Sequence, residues 1–181
     1  MSTQDGMSFR RLIAHPLLLA LYDYWLGKRG ARSAMLRADL DPLEIPSLLQ
    51  NLILSDVADG GRTIRYRLVG TEIVTAHGFD YTGRTIEQLT SGTTLAFTQQ
   101  LYGIIVTQHV PIYSEGNFRW VGKEHRWTSR LHLPLSRDGT QVDMVLAGQV
   151  FEERAPGETE NFRPAQEAEI EGDLRAISAR P

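Results

Sequence analysis

The chain of 181 residues contains no cysteine. That excludes disulfides, cysteine-ligated zinc, iron–sulfur clusters, a cysteine nucleophile and any cysteinyl–chromophore bond. It fits a reducing, cytoplasmic setting. No apolar run approaches the roughly 20 residues a membrane-spanning helix needs. Residues 8–25, SFRRLIAHPLLLALYDYW, place Arg10 and Arg11 before an apolar stretch, as export signals do. His15-Pro16 and Asp23 interrupt that stretch, and no small-residue cleavage site follows, so an ordinary amphipathic helix is the expectation. An excess of positive charge is also missing. The net charge is −3 and the isoelectric point about 5.9, which argues against a general nucleic-acid binder.

What is present supports a folded domain. Hydrophobic residues make up 41% of the chain, enough to bury a core. The length suits one domain with short extensions. The expected division is an N-terminal extension over 1–30, a central domain over 31–152 and an acidic tail over 153–181.

Residues 12–27 read as a helix. Pro16 suits its first turn, Leu17, Leu18, Leu21, Tyr24 and Trp25 form an apolar stripe, and Gly27 and Gly30 supply a stop. Asp41-Pro42 opens a short helix from Leu43 to about Gln50. Leu52 to Ala58 and Thr63 to Val69 read as a hairpin around Asp59-Gly60-Gly61, with Ile64, Tyr66 and Leu68 on one face and Arg65 and Arg67 on the other. Residues 70–108 are glycine-punctuated. Short helices are expected there, then a longer one from about Thr93 to Gln108 with Phe97, Leu101, Ile104 and Ile105 aligned. Thr71 to His77 also passes for a strand. Three strands follow, at Ile112–Trp120, His125–Leu135 and Val142–Phe151. Trp127, Ser129, Leu131, Leu133 and Leu135 share one face, and Arg137-Asp138-Gly139-Thr140 makes a turn. Residues 164–179 allow a helix aligning Ile170, Leu174 and Ile177. A hairpin and a three-stranded meander separated by helices imply an α+β fold with one antiparallel sheet.

One stretch imitates a nucleotide-binding motif. Gly78-Phe-Asp-Tyr-Thr-Gly83-Arg84-Thr85 departs by one residue from the phosphate-loop pattern G-x-x-x-x-G-K-[ST], with arginine in the lysine position. A P-loop requires a buried parallel strand before it and a helix starting at its end. Here Gly92 cuts off the following segment, the sheet reads as antiparallel, and arginine does not replace the compact lysine ammonium. A turn is the better reading. Its glycines would permit left-handed backbone, and Asp80 and Thr82 would bond local backbone.

The run Tyr66-Arg67-Leu68-Val69-Gly70-Thr71-Glu72, followed by Gly78-x-Asp80-x-Thr82-Gly83-Arg84-x-Ile86-x-x-Leu89, resembles the PAS domain superfamily. More narrowly, the chain resembles short bacterial proteins carrying one PAS-like domain. Trp25 with Lys28-Arg29-Gly30, Asp39-x-Asp41-Pro42, Ser55-Asp56-Val57, Leu133-Pro134-Leu135-Ser136 and Asp138-Gly139 extend the likeness over about residues 22–151. The resemblance implies a five-stranded antiparallel sheet with helices packed on one face, besides the N-terminal helix and C-terminal tail. It also implies a small-molecule cavity between sheet and helices.

Such a cavity would be oriented by Tyr66, Ser114 and Ser129 and lined by Phe97, Leu101, Ile105, Leu131 and Met144. The same residues would equally fill a solid core. The cofactor stays open: a cysteine-adduct flavin is excluded, and haem is not expected, because His109 falls at the end of the longer helix, where capping suits it. No metal site is expected, since His125 and His132 lie seven apart on one strand and face opposite ways. The outer sheet face needs a cover. The N-terminal helix would provide it in cis or from a second copy, and Leu17, Leu18, Leu21 and Trp25 are the candidate homodimer contacts.

Two functions follow from different premises. One is a sensory or signalling module without catalytic activity, binding a small ligand or a protein partner and acting in trans. The other is a small α+β enzyme with a cone-like cavity and Asp56 or His77 as general base.

Overall fold

Five strands long enough to alternate, and one too short to do so, form the sheet. A computed structural model describes residues 9–117 and 126–153. The expectations for His125, for the end of the Ile112–Trp120 strand and for the helix over 164–179 lie outside the described residues. The elements are helix α1 (Pro16–Arg29), strand β1 (Met35–Leu36), β2 (Leu52–Ala58), β3 (Thr63–Val69), helix α2 (Thr71–His77), helix α3 (Gly92–Gln108), and strands β4 (Ile112–Asn117), β5 (Arg126–Ser136) and β6 (Met144–Glu153). The strands lie in the order β1-β5-β6-β2-β3, and β4 also pairs with β5. Every pairing is antiparallel except the short one of Met35 and Leu36 with Leu135 and Ser136. The antiparallel sheet expected from the sequence is therefore present. The two residues of β1 extend it on the edge shared with β4, and two residues carry no readable period.

Both faces of the sheet are covered, which gives two cores. On one face α1 lies over β1, β5 and β6, with Leu18, Leu21, Tyr22 and Trp25 turned inward. They meet Met35, Leu131, Leu133, Leu135, Met144 and Leu146. Burying each large side chain is worth about 1.5–3 kcal/mol. Trp25 also donates its indole N–H to the Pro134 carbonyl at 3.0 Å, which fixes how the helix is rotated. Pro16 stands in the first turn, and the His15 ring nitrogen Nδ1 accepts the Leu17 N–H at 3.2 Å. The stripe is turned slightly from the expected one: Tyr22 is fully buried, while Leu17 and Tyr24 lie at its margin. The other core lies under α2 and α3 and includes Ile53, Val57, Ile64, Ile73, Leu101, Ile105, Ile112 and Val145.

Several local expectations are corrected. Thr71–His77 is one of the short helices expected over residues 70–108, and not the strand it could also pass for. The Gly70 N–H closes the sheet ladder on the Leu52 carbonyl, and the Gly70 carbonyl then accepts from Ile73 and Val74. Ile73 and Ala76 form the buried face at a spacing of three, and Gly78 at φ 89° ends the helix. The expected helix from Leu43 to Gln50 is instead two 3₁₀ turns, Pro42–Glu44 and Pro46–Asn51. Pro46 lacks an N–H and disfavours helical geometry at the residue before it, and Ile45 sits at φ −131°, ψ 43°. Leu68 does not share a face with Ile64 and Tyr66. The β2–β3 register shifts between Leu54 and Ser55, a bulge that leaves Leu68 44% exposed.

Candidate functional site

The core under α2 and α3 combines apolar side chains with buried polar groups, among them Ser55 and His132. Alternation fixes which side chains point there. His132 pairs with Ile112 and Ala147, and Arg130 pairs with Ser114 and Gln149, so these positions share the helical face. Ser55 and Tyr66 are paired on the same side from β2 and β3. Tyr102 descends from α3, and its hydroxyl lies 3.4 Å from the Ser55 hydroxyl. Its ring stands edge-on to that of His132, with centroids 5.8 Å apart. Tyr81 stands edge-on to Tyr66 at 4.9 Å and to His77 at 5.1 Å.

Burial sets the charge state of this centre. It holds the Tyr66 and Tyr81 hydroxyls well above the ordinary phenol range and pushes Tyr102 up to about 12. It drives His132 down to about 3, helped by the positive charge of Arg130 and opposed by a hydrogen bond with the Ile112 backbone. At neutral pH three phenols and one imidazole are thus uncharged. The His132 Nδ1 is buried without a hydrogen-bond partner.

Tyr81 belongs to the segment that imitated a P-loop. Gly83 stands at φ 85° and gives its N–H to the Tyr66 carbonyl at 2.7 Å, while Tyr66 returns its N–H to the Arg84 carbonyl at 3.0 Å. Asp80 accepts the Thr82 N–H at 2.8 Å, and Thr85 forms a capping box with Gln88. Arg84 stacks over Phe79. The segment is laid along the free edge of β3, and the Gly83 amide a phosphate would need is already bonded within the protein.

A family model for the PAS domain covers residues 13–148. The chain belongs to the PAS domain family. A PAS domain is a sensory or signalling fold. The matched span takes in α1 and the first half of β6. Similar solved structures include the PAS domain of BvgS from Bordetella pertussis, at 12% identity and TM-score 0.46, covering 66% of this chain and 90% of that one. A sensory box sensor histidine kinase from Vibrio cholerae is 16% identical at TM-score 0.43, over 62% of this chain and 92% of that one. The PAS domain of an HTR-like protein from Haloarcula marismortui is 16% identical at TM-score 0.39, over 61% and 90%. No curated protein matches the chain. Among the described residues, no helix is long and apolar enough to cross a membrane.

In this PAS domain the residues singled out from sequence divide between the two sheet faces. Tyr66, Phe97, Leu101 and Ile105 belong to the core under the helices, and Ser114 shares their face. Leu131 and Met144 do not; they lie in the opposite core beneath α1. Ser129 pairs with Val150 on that same side and hydrogen-bonds the Tyr113 hydroxyl. Their displacement follows from period-two alternation: Leu131 neighbours His132, so only one of them can face the helices. Leu18, Leu21 and Trp25, offered as contacts for a second copy, are each 1% exposed against the chain's own sheet, and Leu17 is partly buried beside them.

The two candidate general bases are elsewhere engaged. Asp56 lies on the α1 face, held by Arg67 at 2.6 Å and by Arg137, which also binds Asp143 at 2.9 Å. The His77 Nδ1 lies 2.9 Å from the Ile73 carbonyl of its own helix. His109 ends α3 at φ 54°, gives its N–H to the Ile105 carbonyl and faces the Ser33 hydroxyl at 3.1 Å. Ser55, Tyr81, Tyr102 and His132 were not identified as site residues from sequence. The signal was alternation along β5: once a helix covers the leucine face, the face bearing Arg130 and His132 also becomes interior.

Proposed function

We propose that this PAS domain is a non-catalytic signalling module that holds a small ligand at the tyrosine–histidine centre and acts on a partner protein in trans. The observation that carries the reading is His132. A buried nitrogen with a free lone pair costs about 1–3 kcal/mol when nothing donates to it. It stands on β5, one strand in from the sheet edge, on the face covered by the helix that would have to respond. The setting of uncharged polar groups within apolar walls suits binding and orientation. Catalysis by the two candidate bases fits less well, because Asp56 is ion-paired and His77 is bonded to the carbonyl of its own helix. A cytoplasmic location fits the absence of cysteine. Self-association remains part of the proposal, but would use a surface other than the buried stripe of α1.

Native mass spectrometry of freshly purified protein tests this. The expected result is a species heavier than the polypeptide by a small-molecule mass, which the variant His132→Leu does not retain. Bare polypeptide as the sole species, with an amide spectrum unchanged by a small-molecule library, removes the ligand-binding role.

A further inference from the structure

The lone pair at the centre of the domain selects among ligands. His132 is 8% exposed, and its Nδ1 is buried without a donor. The nearest phenol does not supply one: Tyr102 meets the imidazole ring edge-on and directs its hydroxyl toward Ser55. The hydrogen bond with the Ile112 backbone engages the proton-bearing side of the ring, so Nδ1 is left as a pure acceptor. An acceptor in this position needs an N–H or O–H opposite it. A carboxylate or phosphate offers Nδ1 only further lone pairs. A cation would have to be desolvated close to Arg130, whose charge already acts on His132.

We infer that the ligand is an uncharged aromatic molecule that donates one N–H or O–H to His132 Nδ1. Two edge-on pairs, Tyr66 with Tyr81 and Tyr102 with His132, provide aromatic edges and faces for a further flat ring. The inference rests on the ligand-binding role proposed above and adds the class of ligand.

Three probes of similar size separate the possibilities: phenol, a donor; toluene, the same shape without a donor; and benzoate, an acceptor anion. Each is titrated into the full-length protein carrying ¹⁵N-labelled histidine. Phenol is expected to bind about tenfold more tightly than toluene, the effect of one neutral hydrogen bond. Phenol alone is expected to shift the His132 Nδ1 resonance. In His132→Leu the preference for phenol over toluene should vanish. The resonance in the unmutated protein reports independently of whether that variant folds. Toluene or benzoate binding as tightly as phenol, or phenol binding without moving the Nδ1 signal, overturns the assigned class while leaving a ligand site standing. Failure of all three to bind at millimolar concentration overturns the assigned class; the ligand-binding role itself falls only if the native mass spectrum and the library titration are also blank.

Discussion

Gly148 on β6 lies directly under Leu21 of α1. A side-chain carbon placed on Gly148 would stand 2.6 Å from Leu21 Cδ2 and 2.8 Å from Leu18 Cδ2. The missing side chain is what lets α1 settle onto the sheet, between Leu52 and Leu131, which flank Gly148 in register. Leucine tips can shift, so Gly148→Ala should cost under about 1 kcal/mol. Gly148→Val should cost about 1–3 kcal/mol, because branching displaces the helix rather than one rotamer. Urea unfolding of the two variants checks the order.

Gly61 makes a closer approach. Its added carbon would meet the Gly103 nitrogen of α3 at 2.3 Å, and its φ is 96°. Backbone cannot yield as a leucine tip does. Gly61→Ala is therefore expected to lower stability by more than about 2 kcal/mol, combining the clash with left-handed strain. A calorimetric midpoint unchanged from that of the native protein would contradict the packing of α3 on the β2–β3 turn.

His132 should make the protein sensitive to acid. Its pKa is held at about 3 in the folded chain, against an ordinary value of 6.5. Between these values the unfolded chain binds the proton and the folded chain does not. Stability is therefore complete above pH 6.5 and falls as the pH drops toward 3. The loss reaches roughly 5 kcal/mol at one unit per 1.36 kcal/mol. Asp80 and Asp138, whose pKa values are lowered by hydrogen bonds to turn backbone, also lose their contribution on acidification. The difference between the native protein and His132→Leu, measured by urea unfolding at each pH, isolates the histidine. Parallel curves would show that the imidazole is not held neutral.

Asp56 is expected to be structural and weakly so. Its side chain is 24% exposed and those of Arg67 and Arg137 are 56% and 50% exposed, so solvent screens the pairs. Asp56→Asn should cost about 1 kcal/mol or less, and less still in 1 M salt. Phenol affinity should not change. A large loss of ligand affinity in this variant would return Asp56 to the list of site residues.

Much of the architecture follows from the sequence alone. Alternation in Thr63–Val69 and in the segment from Trp127 to Leu135, glycine at the turns and the aligned apolar residues of α3 are local properties. They fix helix, hairpin and meander in order. The stretch GFDYTGRT could likewise be read as a turn, because its neighbours deny it the parallel strand and helix that a phosphate loop requires. What the sequence could not assign was the side of the sheet. Period two distributes residues between two faces and leaves open which face is buried. Leu131 and His132 are both interior here, and only the docking of α1 through Gly148 reserves one face for packing and the other for the tyrosine–histidine centre. The bulge that turns Leu68 outward, the two-residue β1 and the meeting of Ser55, Tyr81, Tyr102 and His132 depend on contacts distant in sequence. Chain closure in three dimensions creates them, and no local pattern records it.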